Sequence, residues 1–120
     1  MIPQIRPAAF GQWLVTQSDA TPQSAPLVLD VREPWEVSTA NIKLIADAPA
    51  FDVLYMPMQS IPQRLNELPQ DRTIACLCHH GMRSQQVAAF LLNRGFKNVI
   101  NIAGGIDAWS READPSVAAY

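Results

Sequence analysis

The sequence is short of the features that mark secreted, nucleic-acid-binding and membrane proteins. Its two cysteines in 120 residues are too few for a disulfide framework. Nine basic against eleven acidic residues leave a net charge of −2, which argues against a nucleic-acid-binding surface. No apolar run approaches the roughly 20 residues that cross a bilayer, and the N-terminus lacks the pattern of a signal peptide. We therefore expect a cytoplasmic protein that has neither nucleic acid nor a membrane as a partner.

The overall composition of the chain is typical of one globular domain. Hydrophobic residues make up 48% of the chain and charged residues 17%, which is an ordinary balance. A chain of this length can bury a core without disulfides or metal ions. We therefore expect residues 1–120 to form a single domain.

Short apolar runs alternate with helical patterns along the chain. Strands are predicted at 27–31, 53–56, 73–78 and 98–102, and helices at 7–16, 61–68, 84–94 and 106–109. Strands that alternate with helices indicate an α/β domain with a parallel sheet. In such sheets ligands bind outside the carboxyl ends of the strands.

Both cysteines and both histidines lie within residues 76–80, at the carboxyl end of the third predicted strand. A structural zinc site needs four converging ligands, usually from two separated segments. The adjacent side chains of His79 and His80 are expected to diverge, so we predict no metal site. A disulfide is also disfavoured, because residues i and i+2 of a strand lie about 6.6 Å apart, near the limit of about 6.8 Å. Cys76, in mid-strand, is interpreted as a buried structural residue.

Cys78 stands at the point where the strand ends and a helix soon begins. Gly81 permits a tight turn that brings backbone N–H groups inward. These amides, the positive end of the helix and the Arg83 guanidinium all favour a thiolate. Cys78 is therefore the candidate nucleophile.

Three motifs, in this order, resemble the signatures of the rhodanese-like sulfurtransferases. LDVREPWE at 29–36 is similar to the first signature of that family, Cys-x-x-Gly-x-Arg-Ser at 78–84 to its active-site loop, and GGIDAW at 104–109 to its closing motif. The resemblance implies one rhodanese-like domain with a central parallel sheet of about four to five strands and helices on both faces.

The resemblance also implies sulfur transfer through a persulfide of Cys78. The thiolate would take sulfur from a small anionic donor such as thiosulfate and pass it to cyanide, a thiol or a protein. Thioredoxin and glutathione are the candidate acceptors, and no cofactor is expected. The loop from Cys78 to Arg83 has six residues, one fewer than in tyrosine phosphatases, which argues against phosphoryl chemistry.

The same resemblance assigns roles to the neighbours of the nucleophile. The expected substrate-binding residues are His79, His80, Gly81, Met82 and Arg83. The expected structural supports near the site are Asp30, Arg32 and Ser84. Arg83 has two open interpretations, since it could attract the oxygens of the donor or pair with a nearby carboxylate.

One segment departs from the family pattern, and two other functions stay open. The run at 38–52 lacks the Gly-His-Ile of the family and is longer, so it is a candidate cover or partner-docking loop. The alternatives to sulfur transfer are a non-catalytic module that binds a partner protein and an arsenate-reductase-like or phosphatase-like activity on the same fold. The retained Cys78 argues against the first alternative, and the loop length argues against the second.

Overall fold

Five strands form one parallel sheet in the computed structural model, which describes residues 2–17, 25–42 and 50–118. The strands are β1 (Gln4–Ile5), β2 (Leu27–Asp30), β3 (Asp52–Tyr55), β4 (Ile74–Leu77) and β5 (Val99–Ile102). Their order across the sheet is β1-β5-β4-β2-β3, and every pairing is parallel. The four predicted strands are confirmed to within one residue at each end, whereas β1 was missed.

The described residues also form four α-helices and two short 3₁₀ helices. They are α1 (Pro7–Gln17), α2 (Pro34–Thr39), the 3₁₀ helices Met58–Ser60 and Pro62–Glu67, α3 (Met82–Asn93) and α4 (Gly105–Glu112). The α-helix predicted at 61–68 is instead the 3₁₀ helix Pro62–Glu67, whose backbone leaves helical geometry at Arg64. Helix α2 was not predicted, and residues 43–49 of the atypical 38–52 segment lie outside the described residues. Within the described part of the chain, no helix is long and apolar enough to cross a membrane.

The sheet separates two apolar layers. Because successive side chains of a strand point to opposite faces, Cys76 packs with Leu91 of α3 on one face. Leu77 packs on the other face with Phe10 of α1 and Trp109 of α4. All residues of β2 and β4 are buried. The predicted α/β fold, with helices on both faces of a parallel sheet, is confirmed.

The strand order creates a crevice between β2 and β4. From β2 the chain moves outward to β3, whereas from β4 it moves in the opposite direction to β5. Loops that leave two adjacent parallel strands in opposite directions open a crevice at the carboxyl ends, where α/β proteins bind ligands. The motif at 29–36 continues from the carboxyl end of β2, and the loop that begins at Cys78 follows the carboxyl end of β4.

Candidate active site

The loop after β4 encloses the sulfur of Cys78 with hydrogen-bond donors. The backbone N–H of Gly81 donates to Sγ over 3.0 Å, and the Ser84 hydroxyl lies 3.3 Å from the same atom. Gly81 has a φ of 101°, a left-handed conformation that glycine adopts at little cost. Helix α3 begins at Met82, so the sulfur lies at the positive end of a helix of 12 residues. The arrangement favours negative charge on Sγ.

The start of α4 holds this loop from its outer side. Ile106 and Asp107 donate their backbone N–H groups to the carbonyl oxygens of Cys78 and His79, over 2.9 and 3.0 Å. A side chain at Gly105 would not fit, since its Cβ would lie 2.4 Å from both of those oxygens. The two carbonyls therefore point toward α4, and the closing Gly-Gly motif shapes the loop around Cys78.

The two cysteines are both free and both buried, with exposed fractions of 0% for Cys76 and 1% for Cys78. Cys76 lies in the apolar layer under α3. Burial, with a smaller contribution from the charge of Cys78, raises the pKa of the Cys76 thiol to about 12. Cys76 is therefore a neutral core residue, as the sequence predicted.

Ser84 and Asn101 form a second layer behind the sulfur. The Ser84 hydroxyl lies 2.6 Å from Oδ1 of Asn101, and Nδ2 of Asn101 donates to the carbonyl oxygen of Gly81 over 3.1 Å. Ser84, predicted only as a structural support, thus contacts the sulfur of the candidate nucleophile Cys78. Asn101 was missed. Its signal was a single amide side chain within the otherwise apolar strand Val-Ile-Asn-Ile.

Arg83 is bound to Glu36 of α2 by two hydrogen bonds. Its Nη1 and Nη2 atoms donate to the two carboxylate oxygens of Glu36 over 2.7 and 2.9 Å. The Arg83 side chain is 36% exposed and that of Glu36 only 4%. Of the two interpretations of Arg83, the structure thus contains the ion pair, and binding of the donor stays a prediction. Glu36 was missed because its position in the sequence gives no sign of this partner.

Asp30 and Arg32 form a fully buried ion pair beside α2. Nε and Nη2 of Arg32 donate to the two carboxylate oxygens of Asp30 over 2.9 and 2.7 Å. Nη1 of Arg32 donates to the backbone carbonyl of Glu36 over 3.2 Å. Since Glu36 binds Arg83, these contacts join the loop after β2 to the loop that contains Cys78.

The remaining predicted residues lie on the rim of the loop. His79 is half-buried and His80 is exposed, and their rings stack with centroids 4.0 Å apart. The expectation that these side chains diverge is wrong, because the chain bends here and the alternation of a strand no longer applies. Met82 is 76% exposed.

A potential cation site exists at this rim. One atom each of His79, His80 and Asp107 lies within 4.8 Å of the others. The Asp107 carboxylate already accepts a hydrogen bond from Arg111 over 2.9 Å, so we assign no metal to this group.

Comparison with known proteins gives matches over nearly the whole chain. The model of the rhodanese-like domain family matches residues 12–112. A sulfurtransferase of Allochromatium vinosum is 35% identical over 118 residues, which cover 98% of this chain and 97% of that protein. The thiosulfate sulfurtransferase GlpE of Vibrio cholerae is 30% identical over 84 residues, or 70% of this chain and 72% of that protein. The crystal structure of a rhodanese-related protein from Thermoplasma volcanium superposes with a TM-score of 0.70 at 29% identity, covering 98% of this chain and 99% of the other.

Proposed function

The chain belongs to the rhodanese-like domain family, and we propose that it is a sulfurtransferase that carries sulfur on Cys78. In the first half-reaction, the Cys78 thiolate attacks the outer sulfur of thiosulfate. A new S–S bond forms at Sγ, the S–S bond of thiosulfate breaks, and sulfite leaves with the electron pair. In the second half-reaction, cyanide or a thiolate attacks the outer sulfur of the persulfide, and the Cys78 thiolate leaves. Both steps balance without a cofactor.

The observation that carries this proposal is the position of Sγ between two donors. The Gly81 amide and the Ser84 hydroxyl lie 3.0 and 3.3 Å from the sulfur, at the start of α3. Donors fixed in this way stabilise a thiolate before the reaction and after sulfur has been passed on. The apolar surroundings of Cys76 provide no such stabilisation.

The restricted access to Cys78 supports a small donor. The residue is 1% exposed, so a molecule with a protruding terminal sulfur, such as thiosulfate, suits the site better than a bulky donor. The half-buried His79 and the exposed His80 lie on the rim, where an acceptor would approach. Glutathione and reduced thioredoxin are the acceptors that we propose to test.

The proposal is tested by the intact mass of the protein after treatment with thiosulfate. We expect the wild type to gain the mass of one sulfur atom, which peptide mapping places on Cys78 and which cyanide or glutathione removes. Cys78→Ser is the control and should gain nothing. Sulfur on Cys76 would contradict the assignment of the nucleophile. No gain in mass, combined with hydrolysis of an aryl phosphate, would replace sulfur transfer by phosphatase activity.

A further inference from the structure

Three buried polar groups from different elements lie in a row behind the active-site loop. Sγ of Cys78 lies 3.3 Å from the Ser84 hydroxyl oxygen, which in turn lies 2.6 Å from Oδ1 of Asn101. Ser84 is fully buried and Asn101 is 1% exposed. A serine hydroxyl has one proton and can donate it to only one acceptor at a time. The sulfur and the amide oxygen therefore compete for the same proton.

The orientation of the Asn101 amide is fixed by its other end. Nδ2 donates to the carbonyl oxygen of Gly81 over 3.1 Å and to Oε1 of Gln4 over 2.9 Å. Because the Gly81 carbonyl can only accept a hydrogen bond, the NH₂ group must face it. Oδ1 is thereby turned toward Ser84.

We propose that Asn101 is a positioning residue that competes with Cys78 for the Ser84 proton; this inference rests on the proposed function. When Sγ is a thiolate, the hydroxyl donates to the sulfur. When Sγ is a thiol, its S–H group donates to the Ser84 oxygen, and the hydroxyl donates to Oδ1 of Asn101. In the persulfide the negative charge moves to the outer sulfur, so the hydroxyl again turns to Asn101.

This competition has a direction that can be measured. Without Oδ1, the Ser84 proton has no alternative acceptor on that side and donates to the sulfur more fully. The thiolate then becomes more favourable relative to both the thiol and the persulfide. Asn101 thus limits how strongly the loop holds negative charge on Sγ, which assists the release of that charge to the outer sulfur.

The elements around the active-site loop carry several charged and titratable groups, and the test leaves all of them except Cys76 in place. They are the Asp30–Arg32 pair after β2, the Glu36–Arg83 pair between α2 and α3, the histidines His79 and His80, and the Asp107–Arg111 pair of α4. Cys76, on the same strand, is replaced by alanine throughout.

The experiment is a double-mutant cycle of Ser84→Ala and Asn101→Leu in the Cys76→Ala protein. The measured quantity is the pH midpoint of Cys78 alkylation by iodoacetamide. With Ser84 present, we expect Asn101→Leu to lower this midpoint by about 0.5 pH unit or more, since one hydrogen bond to charge is strengthened. In the Ser84→Ala background the same change should shift it by less than about 0.2 pH unit. Asn101→Leu also removes the hydrogen bond to the Gly81 carbonyl. This loss affects the midpoint with and without Ser84, so it cancels when the two shifts are subtracted.

Equal shifts in the two backgrounds would overturn the proposal, and so would an upward shift with Ser84 present. If circular dichroism shows that Asn101→Leu does not fold, the isosteric Asn101→Asp variant is used instead. The expected shift of the alkylation midpoint is then upward. The carboxylate of this variant accepts the Ser84 proton more strongly and should raise the midpoint by more with Ser84 than without it. Alkylation does not require sulfur transfer, so a protein that fails to take up sulfur from thiosulfate still gives a result here.

Discussion

The middle of β4 and the loop at its carboxyl end place the same side chain in opposite environments. Cys76 lies in β4 and Cys78 just after it; both belong to the same apolar layer, and their exposed fractions are 0% and 1%. Around Cys76, burial raises the pKa of the thiol to about 12. Around Cys78, an amide and a hydroxyl lie within 3.3 Å of the sulfur.

The difference teaches that burial does not decide what a cysteine does. A buried sulfur among apolar side chains stays neutral, because no group replaces the lost water. A buried sulfur that has hydrogen-bond donors beside it can be charged, because those donors replace the water. In this chain the donors of Cys78 come from the start of α3, and α4 and β5 hold them in place.

The largest expected effect is on sulfur transfer when each cysteine is replaced in turn. Cys78→Ser should lower thiocyanate formation from thiosulfate and cyanide by about 1,000-fold or more, because no persulfide can form. Cys76→Ala should keep most of the activity. Urea unfolding of both variants is the control for folding. An equal loss of activity in a folded Cys76→Ala protein would contradict the different roles of the two cysteines and indicate a relay between them.

A second test asks whether the environment of Cys78 depends on α4. Gly105 and Gly95 both have positive φ, 61° and 95°, so alanine at either position costs about 1–2 kcal/mol in backbone strain. A Cβ at Gly105 would also meet the oxygens of Cys78 and His79 at 2.4 Å, whereas a Cβ at Gly95 meets no atom of the described residues within 4 Å.

We therefore expect Gly105→Ala to lower the free energy of unfolding by about 3 kcal/mol or more and to reduce sulfur transfer about tenfold in the protein that remains folded. Gly95→Ala is the matched control and should reduce stability by about 1–2 kcal/mol with activity unchanged. Full activity in a folded Gly105→Ala protein would show that the donors of Cys78 do not need α4.

The third test asks whether the positive charge of Arg83 contributes to the reactivity of Cys78, in addition to the hydrogen-bond donors that Cys76 lacks. Arg83→Met removes the positive charge beside the loop, and we expect the second-order rate with thiosulfate to fall about tenfold. Glu36→Gln keeps the shape of the partner but leaves the Arg83 charge uncompensated. Because thiosulfate is a dianion, this variant should keep its rate within about threefold of the wild type.

Stopped-flow persulfidation at two ionic strengths measures both variants. Salt should slow the wild type and Glu36→Gln more than Arg83→Met, since screening weakens only a charge that is present. If both variants lose activity equally and with the same salt dependence, Arg83 serves to brace the loop against α2, and the backbone amides alone attract the donor.

Most of the fold could be predicted because the central strands are continuous apolar runs. Strands β2 and β4 are buried on both faces, a pattern that the sequence shows directly. The two-residue strand β1 is too short to give a periodic pattern, and it is fixed by its pairing with β5. The 3₁₀ helix at Pro62–Glu67 has helical spacing in the sequence, yet Arg64 interrupts it.

The residues of the site also fall into a group that the sequence could predict and a group that it could not. Cys78, Gly81 and Ser84 belong to one contiguous motif, so the sequence could place them together. Glu36 and Asn101 reach the site only through the order of strands in the sheet, which brings separate segments side by side. Local patterns contain no information about such contacts, and both residues were missed.

The smallest expected effect concerns the stability that Cys76 provides at alkaline pH. Its pKa rises from an ordinary value of 9.0 to about 12 in the folded protein, chiefly because burial disfavours the charged form. Between these values the folded protein keeps a proton that the unfolded chain has lost. The free energy of unfolding therefore falls as the pH rises, by up to about 1 kcal/mol per pH unit, and below this window the contribution is fully present.

Cys76→Ala removes this titration while it leaves every other ionisable group in place. The deleted sulfur costs some packing energy, but that cost does not depend on pH. We expect urea unfolding from about pH 8 to about pH 10.5 to show a steeper loss of stability in the wild type than in the variant. The difference in the free energy of unfolding between the two proteins should become smaller as the pH rises, since only the wild type loses the stability that its neutral buried thiol provides. Parallel curves would mean that Cys76 ionises as readily in the folded protein as in the unfolded chain, and the contrast with Cys78 would then rest on reactivity alone.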